Sequence, residues 1–394
     1  MRALEGITVL ELSRVLAGPW CGMTLADLGA DVVKLEPFTG DDTRGLGPPF
    51  LEGADGTPRE RMSAYFACCN RGKRSLAIDL RAPAAWPLLE ALVRSADVLI
   101  ENFRTGTADV LGVGWERMHA LNPRLVYCSI SGYGRDGPDA LRAGYDVVVQ
   151  AEAGMMAITG EVDGAPHKVG VAIADLATGQ NAATAILAAL WQRQRTGAGQ
   201  RIDLSLFDTQ LALLANVGSS ALFTGGEAPR HGNAHASIVP YQVFAATDGP
   251  FVLAVASEKL WADTCRALDR DAWRHDPRFR DNASRVANRD ALVGELAGLF
   301  ATRPVAHWRA LFDVAGVPCA PVNGVRAALE HPVARARGMR VERDGVPMVG
   351  SPLKLSSSPT PAPLPPPGLG EHTDAIARRH GFDPAALRAA GAVA

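Results

Sequence analysis

The sequence predicts an α/β fold in which helices flank a parallel sheet. Two observations carry that prediction. Short aliphatic strand patterns alternate with helical patterns from residue 7 to residue 133, and the links between them are short and rich in Gly and Pro. Parallel strands need helical crossovers, so regular alternation of this kind points to a sheet covered on both faces.

The elements follow in order. "ITVLEL" (7–12) reads as a buried strand, "WCGMTLADLGA" as a helix and "DVVKLEP" as a second strand, which together form a βαβ unit. "SLAIDL" (75–80) is a strand, and 84–95 is a helix with Leu88, Leu89, Leu92 and Val93 on one face. "DVLIENF" (97–103) is a strand, 107–120 a helix and "LVYCSISGY" (125–133) a strand. Residues 180–195 form an Ala-rich helix stopped by Gly197 and Gly199. "RIDLSLFD" reads as a strand and "TQLALLANVGSSALF" as a helix, followed by a Gly/Pro/Asn/Ser loop at 224–237. A hairpin about Asp248–Gly249 opens a second module of helical patterns. The Pro/Gly-rich run 359–370 is an extended strap, and the tail ends in a short helix. In sheets of this class, ligands gather at the carboxyl ends of the strands. "AGPWCG" after the first strand is not the Gly-x-Gly-x-x-Gly fingerprint, so no dinucleotide is expected.

Composition excludes several classes. The 394 residues carry 40 basic and 42 acidic side chains, a formal net charge of −2. That balance gives no bulk attraction to nucleic acid or to an anionic membrane. The N-terminus lacks the uncharged core of a signal peptide, and no apolar run approaches the roughly 20 residues that cross a bilayer. Six cysteines lack a Cys-x-x-Cys pattern and nine histidines lack zinc-type spacing. The expectation is a cytoplasmic protein with reduced thiols, no metal and no cofactor.

"VGVAIADLATGQ" (169–180) places one carboxylate, Asp175, among small and apolar residues just before the Ala-rich helix. Locally, Asp175 is a good helix N-cap. It is equally a place to hold an ionised nucleophile, because the helix dipole favours the anion whereas deep apolar burial would raise its pKa. The small neighbours Gly170, Ala172, Ala174, Ala177 and Gly179 suit either a ligand's approach or tight helix packing.

A set of motifs goes further. "VLELSRVLAGPWCGMTLADLGADVVKLEP", "NRGKRSLAIDL", "ADVLIENFRTG", "NPRLVYCSISGYG", "GYDVVVQAEAGMMAITG", "VGVAIADLATG", "RTGAGQRIDLSLFD" and "LGEHT" run in order over most of the chain. As a set they resemble the class III coenzyme A transferases, the CaiB/BaiF-type family that includes formyl-CoA transferase. The segment "HGNAHASIVPYQVF" (231–244) lacks the glycine run of the formate enzyme and looks like the branch acting on dicarboxylates, such as the succinyl-CoA:glutarate transferases.

The resemblance implies that Asp175 is the nucleophile, taking an acyl group and then coenzyme A, with CoA thioester as substrate rather than cofactor. It implies CoA contacts at Val15 and Ala17, at Asn70, Arg71, Lys73 and Arg74 of "NRGKR", and at Asn102, Phe103 and Arg104 of "ENFRTG". Two phosphate-binding arginines of the formate enzyme are not carried over, because Val110 and Phe38 stand at or near their positions. His235, Arg14 and Tyr145 are candidates for contacting the acid or an oxyanion, Arg14 because a guanidinium grips a carboxylate bidentately. Blander readings stand beside these: a loop histidine bonded to backbone, a surface ion pair, and solvated charge runs. Among relatives of the same fold, α-methylacyl-CoA racemases pair a "GHD" histidine with the aspartate, and "GYD" (144–146) puts Tyr145 there instead. A non-catalytic acyl-CoA binding protein is the other alternative.

The family fold implies a large Rossmann-like domain built from both chain ends, a smaller α+β domain, and an interlocked homodimer. The expected boundaries are 1–200 for the first part of the large domain, 201–225 for a linker helix, 226–325 for the small domain, and 326–394 for the return strap and the rest of the large domain.

Overall fold

The computed structural model describes residues 2–51, 62–360 and 363–394. Residues 361 and 362 of the expected strap lie outside the described residues. The chain divides into two compact units, one of residues 1–155, 168–225 and 332–394, the other of 156–167 and 226–331.

The larger unit is built on six parallel strands: β1 (Thr8–Glu11), β2 (Asp31–Glu36), β3 (Arg74–Ala77), β4 (Val98–Glu101), β5 (Val126–Ser131) and β6 (Arg201–Ser205). Their spatial order is β3-β2-β1-β4-β5-β6. This is the doubly wound Rossmann order, whose direction reverses between β1 and β4. Side chains alternate along each strand, so each face carries its own core. Leu10, Val33, Leu99 and Tyr127 face one way, and Val9, Val32, Val98, Ile100 and Cys128 the other.

Helix α1 (Ala17–Asp27) covers the second face, where its Cys21 and Leu25 join the core. Helix α2 (Ala64–Asn70) starts at Ser63, whose Oγ accepts from the Tyr65 and Phe66 amides. Helix α3 (Trp86–Ser95) buries Leu88, Leu89, Leu92 and Val93 against the first face, as the 3.6-residue spacing predicts. Helix α4 (Asp146–Glu152) lies near the start of the longest helix, α5 (Ile173–Thr196), which ends at the left-handed Gly197. A Cβ at Gly179 would lie 2.5 Å from the Ala17 carbonyl oxygen, so this glycine lets α5 pack closely on α1.

The chain end returns to this sheet. Ile78 bridges Val393, the His372 amide donates to the Ser75 carbonyl, and Ile376, Leu387 and Val393 join the core shared with α3.

Three expectations are corrected. The helix expected over 107–120 is two pieces, Thr107–Val110 and Trp115–Leu121, because Gly112 adopts φ +73° between them. The Ala-rich helix begins at Ile173, not at 180, so Asp175 is its third residue rather than its N-cap. Residues 201–225, expected as a linker helix, supply edge strand β6 and the helices Leu206–Ala212 and Ala215–Thr224 of the larger unit, because β6 finds a parallel partner in β5.

The smaller unit holds the antiparallel strands β7 (Tyr241–Ala246), β8 (Gly249–Ala254) and β9 (Cys319–Pro321), with β8 central. The β7–β8 turn falls at Thr247 and Asp248, one residue before the expected Asp248–Gly249, because Gly249 pairs with Ala246. Aromatic rings of Phe244, Phe251, Phe300, Trp308 and Phe312 fill its core. Buried Arg285 is held by Glu258 and by the carbonyls of Val239 and Phe279.

Among the described residues, no helix is long and apolar enough to cross a membrane.

Candidate active site

A cavity of about 310 Å³ opens where the strand order reverses. Its walls come from the segments that leave the carboxyl ends of β1, β4 and β5, joined by the start of α5. That is the position at which open α/β sheets bind ligands.

The β1 exit loop is held firmly. The Arg14 amide donates to Asn102 Oδ1 (2.9 Å), and Asn102 Nδ2 donates back to the Arg14 carbonyl (2.7 Å). The next residue, Val15, has φ +70°, a costly conformation for a β-branched side chain. Its amide donates to Asp41 Oδ1 at 3.3 Å. Asp41 is itself buried and pairs with Lys34 at 2.9 Å. Burial works against an ionised Asp41, but Lys34 and the hydrogen bonds from Thr43 together outweigh it and lower the carboxyl's pKa. The β4 exit is tied by Arg135, which pairs with Glu101 at 2.9 Å and donates to the Phe103 carbonyl at 2.6 Å.

Asp175 lines this cavity from the first turn of α5. Helix α5 has no side-chain cap of its own. Asp146 of α4 fills that role: its Oδ1 accepts from the Ala174 amide (2.8 Å) and the Asp175 amide (3.3 Å). Among the described residues, no protein group donates a hydrogen bond to the Asp175 carboxylate. Burial, followed by the nearby charge of Asp146, pushes the Asp175 carboxyl up to about 7. The expected helix-end protection of the anion is therefore outweighed. Across the site, burial and then the charge of Asp175 push the Tyr65 phenol up to about 12.

The candidate residues separate into groups. Arg14, Val15, Ala17, Asn102, Phe103, Arg104 and Tyr145 all line the cavity with Asp175. Tyr145 is 64 % exposed, and Arg14 makes only a loose, exposed pair with Asp42 at 3.4 Å. The "NRGKR" residues lie elsewhere. Lys73 is buried and held by Glu11 (2.7 Å), Asn70 Oδ1 (2.8 Å) and the Pro19 carbonyl (2.8 Å). Arg71 makes a buried two-point pair with Asp27 and lines a separate, mostly apolar cavity of about 630 Å³ with Trp20, Met23 and Met348. Arg74 pairs with Asp31 at 2.5 Å. Arg71, Lys73 and Arg74 meet the carboxylates of Asp27, Glu11 and Asp31, and Asn70 is bonded to Lys73, partners that the linear sequence conceals. His235 belongs to the smaller unit. Its Nδ1 accepts from the Ser237 amide at 3.1 Å, its backbone amide donates to the Tyr241 carbonyl, and its ring meets Tyr241 edge-on.

Sequence reasoning did not single out Asp146, Gln150 or Arg142. Arg142 lines the cavity, sits over the Tyr133 ring at 4.8 Å and pairs with Glu152. A signal for this region was present in two glycines. A Cβ on Gly132 would lie 2.6 Å from the Gly144 Cα, so only glycines let 143–146 lie against the end of β5. The spacing of Asp146 and Gln150, four residues apart on one helical face, was the other.

The model of CoA-transferase family III matches residues 4–373, nearly the whole chain. The chain belongs to CoA-transferase family III. A succinate–glutarate CoA-transferase of Agrobacterium fabrum is 44 % identical over 94 % of this chain and 93 % of its own. A succinyl-CoA:glutarate CoA-transferase of Mus musculus is 40 % identical over 95 % of this chain and 85 % of its own. The crystal structure of a CaiB/BaiF family protein from Brucella suis is similar at a TM-score of 0.87 and 43 % identity, covering 96 % of this chain and 100 % of that one. Asp175 and Tyr145 both line the cavity of this family III chain.

Proposed function

We propose that this family III protein transfers coenzyme A from an acyl-CoA, succinyl-CoA in the first instance, to a dicarboxylic acid, with Asp175 as the covalent carrier. An Asp175 oxygen attacks the thioester carbonyl, the C–S bond breaks, and CoA leaves as thiolate. The thiolate sulfur then attacks the Asp175 carboxyl carbon of the mixed anhydride, and the donor acid departs as carboxylate. The acceptor carboxylate attacks the resulting aspartyl thioester and expels the thiolate. The thiolate finally attacks the acceptor's carbonyl and frees Asp175. One thioester replaces another, so the overall exchange is nearly balanced and no ATP is consumed.

The observation that carries this reading is Asp175 itself. It is a carboxylate with no protein donor on it, at the wall of a cavity also lined by Arg14, Arg104 and Arg142. A pKa near 7 leaves a substantial anionic fraction at neutral pH and makes the carboxylate more nucleophilic than an ordinary one. The arginines supply charge for CoA phosphates and for a dicarboxylate's second carboxyl group. The dicarboxylate preference is supported by the glutarate-using relatives and by the 231–244 segment. The test is a panel of C2 to C6 mono- and dicarboxylates with succinyl-CoA, reading the mass of the CoA product. A dicarboxyl-CoA is expected. Exclusive use of monocarboxylates would overturn the acceptor class.

The same reading places the enzyme in the cytoplasm as an interlocked homodimer, with the chain returning to the large domain at 332 rather than at the expected 326. Interlocked rings separate only by unfolding, so extensive dilution on size exclusion should leave the dimer intact. A reversible shift to monomer would contradict it.

A further inference from the structure

We infer that Asp146 is a positioning residue for transfer: its carboxylate, locked by Gln150, takes the amide donors at the start of α5 and so leaves the Asp175 carboxylate unbonded and aimed at the cavity. The inference rests on the reading of Asp175 as the carrier.

The geometry has three parts. Asp146 Oδ1 accepts from the amides of Ala174 (2.8 Å) and Asp175 (3.3 Å). Its other oxygen, Oδ2, accepts from Gln150 Nε2 at 2.6 Å. Buried Gln150 in turn accepts from the Val169 amide through Oε1 at 2.9 Å. One side-chain pair on α4 thus fixes both the segment leading into α5 and its first turn. A carboxylate in the first turn of an uncapped helix ordinarily folds back onto the free amides. Asp146 occupies those amides from outside, so Asp175 keeps its lone pairs for attack. The cap comes with a second negative charge facing the carrier, and this favours the neutral, esterified or thioesterified state of Asp175 over the free anion. That bias acts on the covalent intermediates, where the Asp175 charge has gone.

The groups facing Asp175 are Asp146 on α4, Tyr65 on α2, Tyr145 before α4, and Arg14, Asp42, Arg104 and Arg142 along the cavity wall. Among the described residues, Asp146 is the one charged group facing Asp175 that also bonds its backbone.

The experiment compares Asp146→Ala, Asp146→Asn and Asp175→Asn in the full-length enzyme. It measures kcat, KM for acyl-CoA, the pH dependence of kcat/KM, and thermal unfolding. Asp146→Ala should lose about 100-fold in kcat with KM changed less than about threefold, the pattern of a lost positioning interaction. Asp146→Asn keeps an acceptor oxygen and drops the charge. It should recover about tenfold of that loss and move the acid limb of kcat/KM down by about one pH unit, since removing a neighbouring anion favours ionised Asp175. A merely structural role would lower Tm without moving that limb. If Asp146→Ala fails to fold, Asp146→Asn decides alone, and an unshifted acid limb overturns the inference. If Asp175→Asn is inactive while Asp146→Ala keeps kcat within about twofold, this inference falls and the carrier reading survives. If Asp175→Asn transfers CoA at the wild-type rate, the carrier reading falls and takes this inference with it.

Discussion

Two groups of charged side chains belong to the same parallel-sheet unit, and they are built on opposite principles. Around Lys34 and Lys73, every charge has a partner: Lys34 lies 3.0 Å from Glu11 and 2.9 Å from Asp41, and Lys73 lies 2.7 Å from Glu11. Both ammonium groups are sealed from solvent. Around Asp175, a carboxylate faces a second carboxylate, has no donor of its own and opens onto a cavity. The first group holds Lys34 charged: burial opposes the charge, but Glu11 and Asp41 outweigh it and raise its pKa. The second group raises a carboxyl to about 7. Charge neutralised inside the protein fixes the loops, whereas charge left uncompensated is available for chemistry.

The largest effect that sharpens this contrast is on catalysis. Asp175→Asn should cut CoA transfer by about 10³-fold or more with the fold retained, since an amide cannot carry the acyl group. Next comes Lys73→Met, which strands buried Glu11 beside a single remaining lysine. It should cost about 3 kcal/mol in urea unfolding. If stability holds and only KM for acyl-CoA rises, Lys73 belongs with the ligand contacts instead.

The third prediction turns on pH. The folded-state pKa of Asp175 lies above its unfolded value, so the native protein binds more protons between about pH 4 and 7, and stability falls as pH rises through that window. Asp175→Asn should therefore be more stable than wild type at pH 8 by about 4 kcal/mol, with the difference vanishing near pH 4. An equal Tm at both pH values would break the proposed contrast. Fourth, Arg104→Ala should raise KM for acyl-CoA about tenfold with little change in kcat, the pattern of a phosphate contact made equally in ground and transition states. The smallest effect belongs to Arg74→Ala. Its pair with Asp31 is part-exposed, and Arg379 lies 3.1 Å from the same carboxylate. Its loss should cost under about 1 kcal/mol by thermal unfolding and leave KM unchanged.

Much of the sheet was legible because parallel strands covered on both faces read as short aliphatic runs. Val9, Val32, Val98 and Val126 are all fully or nearly fully buried. The 107–120 break and the early start of α5 were not legible. The first depends on Gly112 accepting a left-handed turn. The second depends on a cap donated by Asp146, 28 residues upstream of the Ala174 amide it accepts from. The same physics divided the site. "ENFRTG" leaves a strand at the switch point and lines the cavity, so its charge stands open to a ligand. "NRGKR" has equal charge, but its lysine and arginines meet Glu11, Asp27 and Asp31, which only the fold brings to them. A run of charge does not reveal whether its partner is a ligand or the protein itself.

The central claim is that Asp175 is joined covalently to both acids during transfer. The most direct measurement uses an acceptor acid labelled with ¹⁸O in the attacking carboxylate, unlabelled succinyl-CoA, and mass analysis of the Asp175 peptide after turnover. The acceptor oxygen that bridges the anhydride stays with the enzyme when thiolate attacks the acceptor's carbonyl, so Asp175 should gain ¹⁸O in step with turnover. Transfer of CoA with no label in that peptide would contradict the account.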